Sequence, residues 1–177
     1  MSWSCKDRIR GEMVLFNQQF GGFDTKAFEA FESRKWSSNV FNMERLNVRE
    51  QMKALGEILE GPLSNLHRFY WEVTTHTPSI FNGRSVSEMV LYFTRNLEEQ
   101  RAIVPLLDSR ISLPDQISDA GEHHRHVTLV VRIDHEGCDV GLMLHSTAWL
   151  DVMNLLNRCR VPFERTNFVN LVRSLQS

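Results

Sequence analysis

The stretch HVTLVVRIDHEGCDVGLMLH, residues 126–145, decides the fold class of this chain. Apolar residues recur at every second position on either side of Asp134-His135-Glu136-Gly137. A short polar segment with a glycine between two alternating runs reads as an antiparallel hairpin. A slip of one residue would send every side chain to the opposite face, so the apolar pattern chooses the register. If opposed positions sum to 271, Val127 meets Leu144, Leu129 meets Leu142, Val131 meets Val140 and Ile133 meets Cys138. The other face then pairs His126 with His145, Thr128 with Met143, Val130 with Gly141 and Arg132 with Asp139. A sum of 272 suits Gly137 as the third residue of a bulged loop, but it sets Val127 against His145 and Ile133 against Asp139. Misplacing several apolar pairs, at roughly 25 cal/mol per Å² of buried surface, outweighs a less favoured turn. The expected sum is 271.

Downstream of the hairpin, Trp149, Val152, Met153 and Leu156 fall on one helix face, with Ser146 or Thr147 as the cap. Pro162 interrupts, and Phe168, Leu171, Val172 and Leu175 mark a short last helix. Upstream, Asn96 to Leu107 reads as a helix, and residues 109–122 form a long loop. Phe69, Trp71 and Val73 alternate with Tyr70, Glu72 and Thr74, which is strand spacing. Pro78 through Arg84 is a loop. Residues 86–95 stay open: Met89-Val-Leu-Tyr-Phe93 suits a strand pairing back on 69–74 and equally a helix running on through Leu107.

The first third is helical. Ile9, Met13, Phe16 and Phe20 share a helix face, and Gly21-Gly22 stops it. Asp24 is the N-cap of the next helix, flanked by Phe23 and Phe28 as a hydrophobic staple. Asn42 caps a third helix, where Val48, Met52, Leu55 and Leu59 recur at helical spacing and Gly61-Pro62 ends the run. The expectation is one α+β domain over 1–177. It has N-terminal helices, a mostly antiparallel sheet of about four strands, and C-terminal helices packed on one sheet face.

Composition narrows the function classes. The chain has 177 residues, 42% hydrophobic and 24% charged, with a formal net charge of −2. This is ordinary globular composition. It sets up no global basic field, so a nucleic-acid partner is not expected. The local cations Arg34, Lys35, Arg45 and Arg49 around Trp36 read as a solvated patch. Cys5, Cys138 and Cys159 are odd in number and match no zinc or redox spacing, which reads as reduced thiols. The N-terminus is charged and lacks an apolar core, and no run of about 18 apolar residues occurs. A cytoplasmic protein without a membrane partner is the expectation.

The hairpin register gathers the candidate site. If the aromatic side of strand 69–76 faces the core, its polar side joins the mixed face of the hairpin, with Arg84 on a nearby rim. The candidate ligand-binding face is then His76, Glu72, Tyr70, Arg84, His126, Arg132 and His145. Imidazoles, a carboxylate and a phenol on one surface are where acid–base or metal chemistry is sought. His126-Val-Thr128 and His145-Ser-Thr147 repeat one spacing, and two adjacent imidazoles with separated pKa values suit general acid–base work. His124, His126 and His145 could supply three zinc ligands. Their spacing matches no zinc signature, so no cofactor is expected and zinc is the alternative. Nucleophile-elbow, phosphate-loop and dinucleotide-binding signatures are absent. The expected function is a non-catalytic binding or assembly module contacting another protein or itself. The alternative is a small enzyme or an anion- or metal-binding protein using His126, His145 and His76.

Overall fold

A computed structural model describes residues 20–74, 85–108 and 122–174. The helix expected at 9–20, except Phe20, the loop at 78–84 and nearly all of the loop at 109–122 lie outside these residues. The protein is α+β. The described elements are helix α1 (Thr25–Glu29), helix α2 (Asn42–Ser64), strand β1 (Phe69–Val73), strand β2 (Glu88–Arg95), helix α3 (Leu97–Asp108), strand β3 (Thr128–Asp134), strand β4 (Cys138–Met143), helix α4 (Trp149–Cys159) and helix α5 (Pro162–Ser174). Short 3-10 turns occupy Ser33–Lys35, Asn39–Phe41 and Glu122–Arg125. The strands form one antiparallel meander in the order β1-β2-β3-β4. The chain divides into two compact units. Residues 1–97 with 129–142 make the first, and residues 98–128 with 143–177 make the second.

In the first unit the sequence signals act locally as expected at α1. The Asp24 side chain accepts from the Ala27 N–H at 2.9 Å, and Phe23 meets Phe28 edge-on at 6.4 Å between ring centres. Gly22 sits at φ +81°, the left-handed region that a side chain disfavours. Two boundaries of α2 differ from the sequence reading. Asn42 is the first helical residue, not the cap, and its Oδ1 accepts from Arg45 Nη1 at 3.1 Å. Gly61-Pro62 does not stop the helix, which continues to Ser64 with Pro62 inside its last turn. Near a helix end the missing proline N–H removes only one ladder bond, which this helix tolerates.

The core of this unit lies between α2 and one face of the sheet. Val48, Met52 and Leu55 of α2 cluster with Val73, Leu91, Phe93, Val131 and Ile133. Residues 88–95, open between strand and helix in the sequence, are strand β2. From Met89 to Thr94 every residue is buried, because this strand is flanked on both edges and covered on both faces. Such a strand shows an unbroken apolar run instead of alternation, which is why periodicity could not decide it. Each register is fixed by the pairs Glu72 with Tyr92 and Leu91 with Val131.

The hairpin bears a correction. Asp134 N–H donates to the Gly137 carbonyl at 3.0 Å, so these residues oppose each other, as the sum of 271 requires. Asp134 Oδ1 also accepts from the N–H groups of Glu136 and Gly137, at 2.8 and 3.0 Å, and this closes the turn. Yet the apolar face does not stay in the core along its length. Ile133 and Cys138 are buried, while Val140 and Leu142 are 68% and 70% exposed.

In the second unit α4 and α5 pack on each other. Neither Ser146 nor Thr147 caps α4. Its N-cap is Ala148, without a side-chain bond, and Thr147 is engaged elsewhere. Among the described residues no helix is long and apolar enough to cross a membrane.

Candidate functional site

Of the seven residues expected on one ligand-binding face, His76 and Arg84 lie outside the described residues. The other five fall into three groups.

Tyr70 and Glu72 stand on β1, two residues apart and hence on one face. Tyr70 Oη donates to Glu72 Oε2 at 2.9 Å, and the same oxygen accepts from Tyr92 Oη at 3.1 Å. The register places Tyr92 directly opposite Glu72. One carboxylate thus fixes two phenols. The sequence reading did not include Tyr92, because residues 86–95 had no assigned structure. On this face Val90, Tyr92 and Thr94 of β2 are buried. The Thr94 hydroxyl has no hydrogen-bond partner.

Arg132 sits at the other end of the first unit's sheet. Its Nη2 donates to Asp139 Oδ2 at 2.5 Å, the cross-strand pair expected from the register. Glu88 and Asp134 add carboxylates at 3.6 and 3.8 Å. The hydrogen bond to Asp139 raises the guanidinium pKa above its ordinary value, and partial burial works against that rise. Arg132 therefore bonds one carboxylate and faces two more. Nearby, an open hollow of about 650 Å³ is walled by Glu32, Arg34, Trp36, Glu88, Asp134 and His135, with others. Three of its acidic groups are engaged internally: Glu32 with Arg34 Nε at 2.5 Å, Asp134 in the hairpin turn and Glu88 with Arg132.

His126 and His145 belong to the second unit. His126 is buried. The ring that lies against His145 is that of His124, stacked at 4.7 Å between centres and 16° between planes. The alternation of a strand does not apply at residues 122–125, which wind into a 3-10 turn. This is why the sequence pointed to His126 in place of His124. Thr147 organises the pair. Its hydroxyl donates to the His124 carbonyl at 2.8 Å and lies 2.8 Å from His145 Nδ1. The Thr147 N–H donates to the same Nδ1 at 3.2 Å, so this ring nitrogen serves as an acceptor. Asp151, in the first turn of α4, accepts the Val127 N–H at 2.8 Å and pins the chain just after His126. The repeated His-x-Thr spacing and its place as a possible helix cap were the sequence signals for Thr147, and nothing in the pattern marked Asp151.

Among the described residues no group of three or more histidines, cysteines, aspartates or glutamates is arranged to hold a metal ion. The stacked imidazoles can accept protons or bind an anion when protonated.

The basic patch read around Trp36 also changes character. Arg45 is only 1% exposed. Its guanidinium donates to the carbonyls of Ser38, at 3.0 Å, and Lys35. Burial lowers its pKa below the ordinary arginine value. Lys35 is buried as well, bonded to Glu44 at 2.7 Å and standing over the Phe41 ring. Trp36 donates Nε1–H to the Phe31 carbonyl at 2.7 Å. Lys35 and Arg45 thus build the turns before α2, while Arg34 stays exposed and paired with Glu32.

No family model, curated protein or solved structure matches this chain.

Proposed function

We propose that this chain is a non-catalytic binding or assembly module, which contacts protein through apolar surface that its own fold does not use. The observation that carries this reading is α5. None of its residues is buried, and Phe163, Phe168, Val169, Leu171 and Val172 are all substantially exposed. Phe168, Leu171 and Val172 lie at helical spacing and make one stripe. Contiguous exposed apolar surface of this kind marks interaction sites, and an amphipathic helix laid into a groove is a common way of using it. The binding reading is tested by in-cell photocrosslinking from a benzoylphenylalanine placed at Phe163 or, as a control, at the exposed Glu57 of α2. Discrete adducts from 163 and none from 57 are expected. Equal yields from both, or no adduct at 163, would refute it.

A second reading is favoured by one observation, the His124–His145 stack held by Thr147. It makes the chain a small enzyme or an anion- or metal-binding protein that works through imidazoles. Stoichiometric zinc in the purified protein, lost in both His124→Ala and His145→Ala, would replace the first reading with this one. Metal-free protein with unchanged partner binding in those variants would leave the first in place.

A further inference from the structure

We infer that the chain forms a two-fold dimer in which α5 of one copy packs antiparallel on α5 of a second copy, centred at the level of Asn170. This names a partner for the apolar stripe and rests on the binding reading.

The helix needs cover that its own chain does not supply. α5 has 13 residues, and none of them is buried. A lone helix of about 12–15 residues is marginal in water and draws its stability from packing an apolar face. The middle of α5 holds Thr166, Asn167, Val169, Asn170 and Val172, which are mediocre helix formers. From Phe168 to Val172 the helix carries no charge. Glu164, before that stretch, is paired with Arg158 of its own copy at 3.5 Å.

The choice of occupant comes from self-complementarity. At 3.6 residues per turn, Phe168 and Val172 lie at the centre of the stripe, Leu171 and Val169 on its two flanks, and Asn170 on the opposite side of the helix. All four stripe residues are between 37% and 58% exposed. An antiparallel pairing whose opposed positions sum to 340 sets Phe168 level with Val172 of the second copy at both ends of the contact. Leu171 then lies beside its own copy along one flank, and Val169 beside its own copy along the other. Phenylalanine against valine joins a larger side chain to a smaller one, which lets facing layers interdigitate. Arg165 and Arg173 are level with positions 175 and 167, so like charges never meet.

The area suits a weak dimer. Met153 and Leu156 of α4 and Val161 between the helices leave further apolar surface open in the same unit. At about 200 Å² for such a side chain, the open fractions of these three residues and the four of the stripe come to roughly 600 Å². That is the smallest share one partner brings to a specific interface of about 1,200 Å² in total.

Sedimentation equilibrium of the full chain over a wide concentration range should show mass rising from one chain to two. Leu171 is 58% exposed, so Leu171→Glu leaves the packing of a single copy intact. It sets two carboxylates side by side across the axis and should weaken dimerisation at least about tenfold, a change of roughly 1.4 kcal/mol. Asn170→Glu, on the far side of the same helix, should dimerise as the wild type does. Hydrogen exchange of the unaltered chain needs no variant: the amides of α5 should be protected in concentrated protein and exchange faster on dilution. Wild-type mass that stays at one chain or rises past two overturns the dimer. So does a folded Leu171→Glu variant that dimerises as well as the wild type, an Asn170→Glu variant weakened as much as Leu171→Glu, or α5 exchange that is equal at both concentrations. If the protein is monomeric while residue 163 still crosslinks, another protein is the occupant, the dimer fails and the binding reading survives.

Discussion

Gly56 of α2 lies directly against the indole of Trp71 on β1. A methyl group built on Gly56 would stand 2.6 Å from Cζ3 and 2.7 Å from Cε3 of that ring. The helix and the sheet approach each other at this point only because one partner has no side chain. Gly56→Ala should therefore destabilise the protein by about 1–3 kcal/mol through overpacking, despite the gain of roughly 1 kcal/mol in helix propensity. Urea denaturation checks this. The loss should shrink in a Gly56→Ala, Trp71→Leu double variant, because the ring responsible for the clash is gone.

Arg45 should behave as a structural cation. Arg45→Met leaves the carbonyls of Lys35 and Ser38 without their donor, and a cost of about 2–4 kcal/mol is expected. Arg45→Lys should recover little, since an ammonium lacks the planar fork that reaches two carbonyls and Asn42 at once. Thermal melts of the two variants, compared with the exposed control Arg101→Met, give the measurement.

Asp151 ties the start of α4 to the segment that bears the histidines. Asp151→Ala strands the part-buried Val127 N–H and removes a carboxylate from the first helical turn, where the helix dipole favours it. A loss of about 1–3 kcal/mol is expected. Asp151→Asn, which keeps an acceptor oxygen, should lose less. Faster amide exchange at Val127 in the alanine variant would locate the effect.

Glu32 gives a pH signature. The hydrogen bond from Arg34 holds its carboxyl pKa below the ordinary glutamate value. A carboxyl with a depressed folded pKa stabilises the folded state above its unfolded pKa, and that contribution is lost as pH falls through the lower folded value. Its side chain meets solvent, so the effect should be small and should weaken with added salt. Carbon-detected NMR titration of Glu32 should give a midpoint that rises in Arg34→Ala. An unchanged midpoint would mean that the pair does not persist in solution.

Much of the fold was legible because local signals and burial agree there. Asp24 with Phe23 and Phe28 specifies the start of α1, the Val48-Met52-Leu55 stripe specifies α2, and the alternation around Asp134 specifies the hairpin and its register. β2 was ambiguous for a physical reason: a strand covered on both faces loses its period. Arg45 was misread because charge suggests exposure, and no local pattern shows backbone carbonyls converging on a guanidinium. The candidate site was only partly legible. The alternation rule fails at the 3-10 turn of residues 122–125, so the stacked partner of His145 is His124 and not the expected His126. Tyr92, which shares Glu72 with Tyr70, could not be placed on that face because residues 86–95 were open between strand and helix.

The sequence by itself determined the class of the protein, the hairpin register and the Arg132–Asp139 pair, because each depends on neighbours a few residues apart or directly across a turn. Only the tertiary structure decided which apolar residues reach the core. Val131 and Val140 oppose each other with the same side chain, yet the first is buried and the second is largely exposed. Burial depends on what lies above a position in space, and elements distant in the chain supply that cover. No periodicity within the strand encodes it.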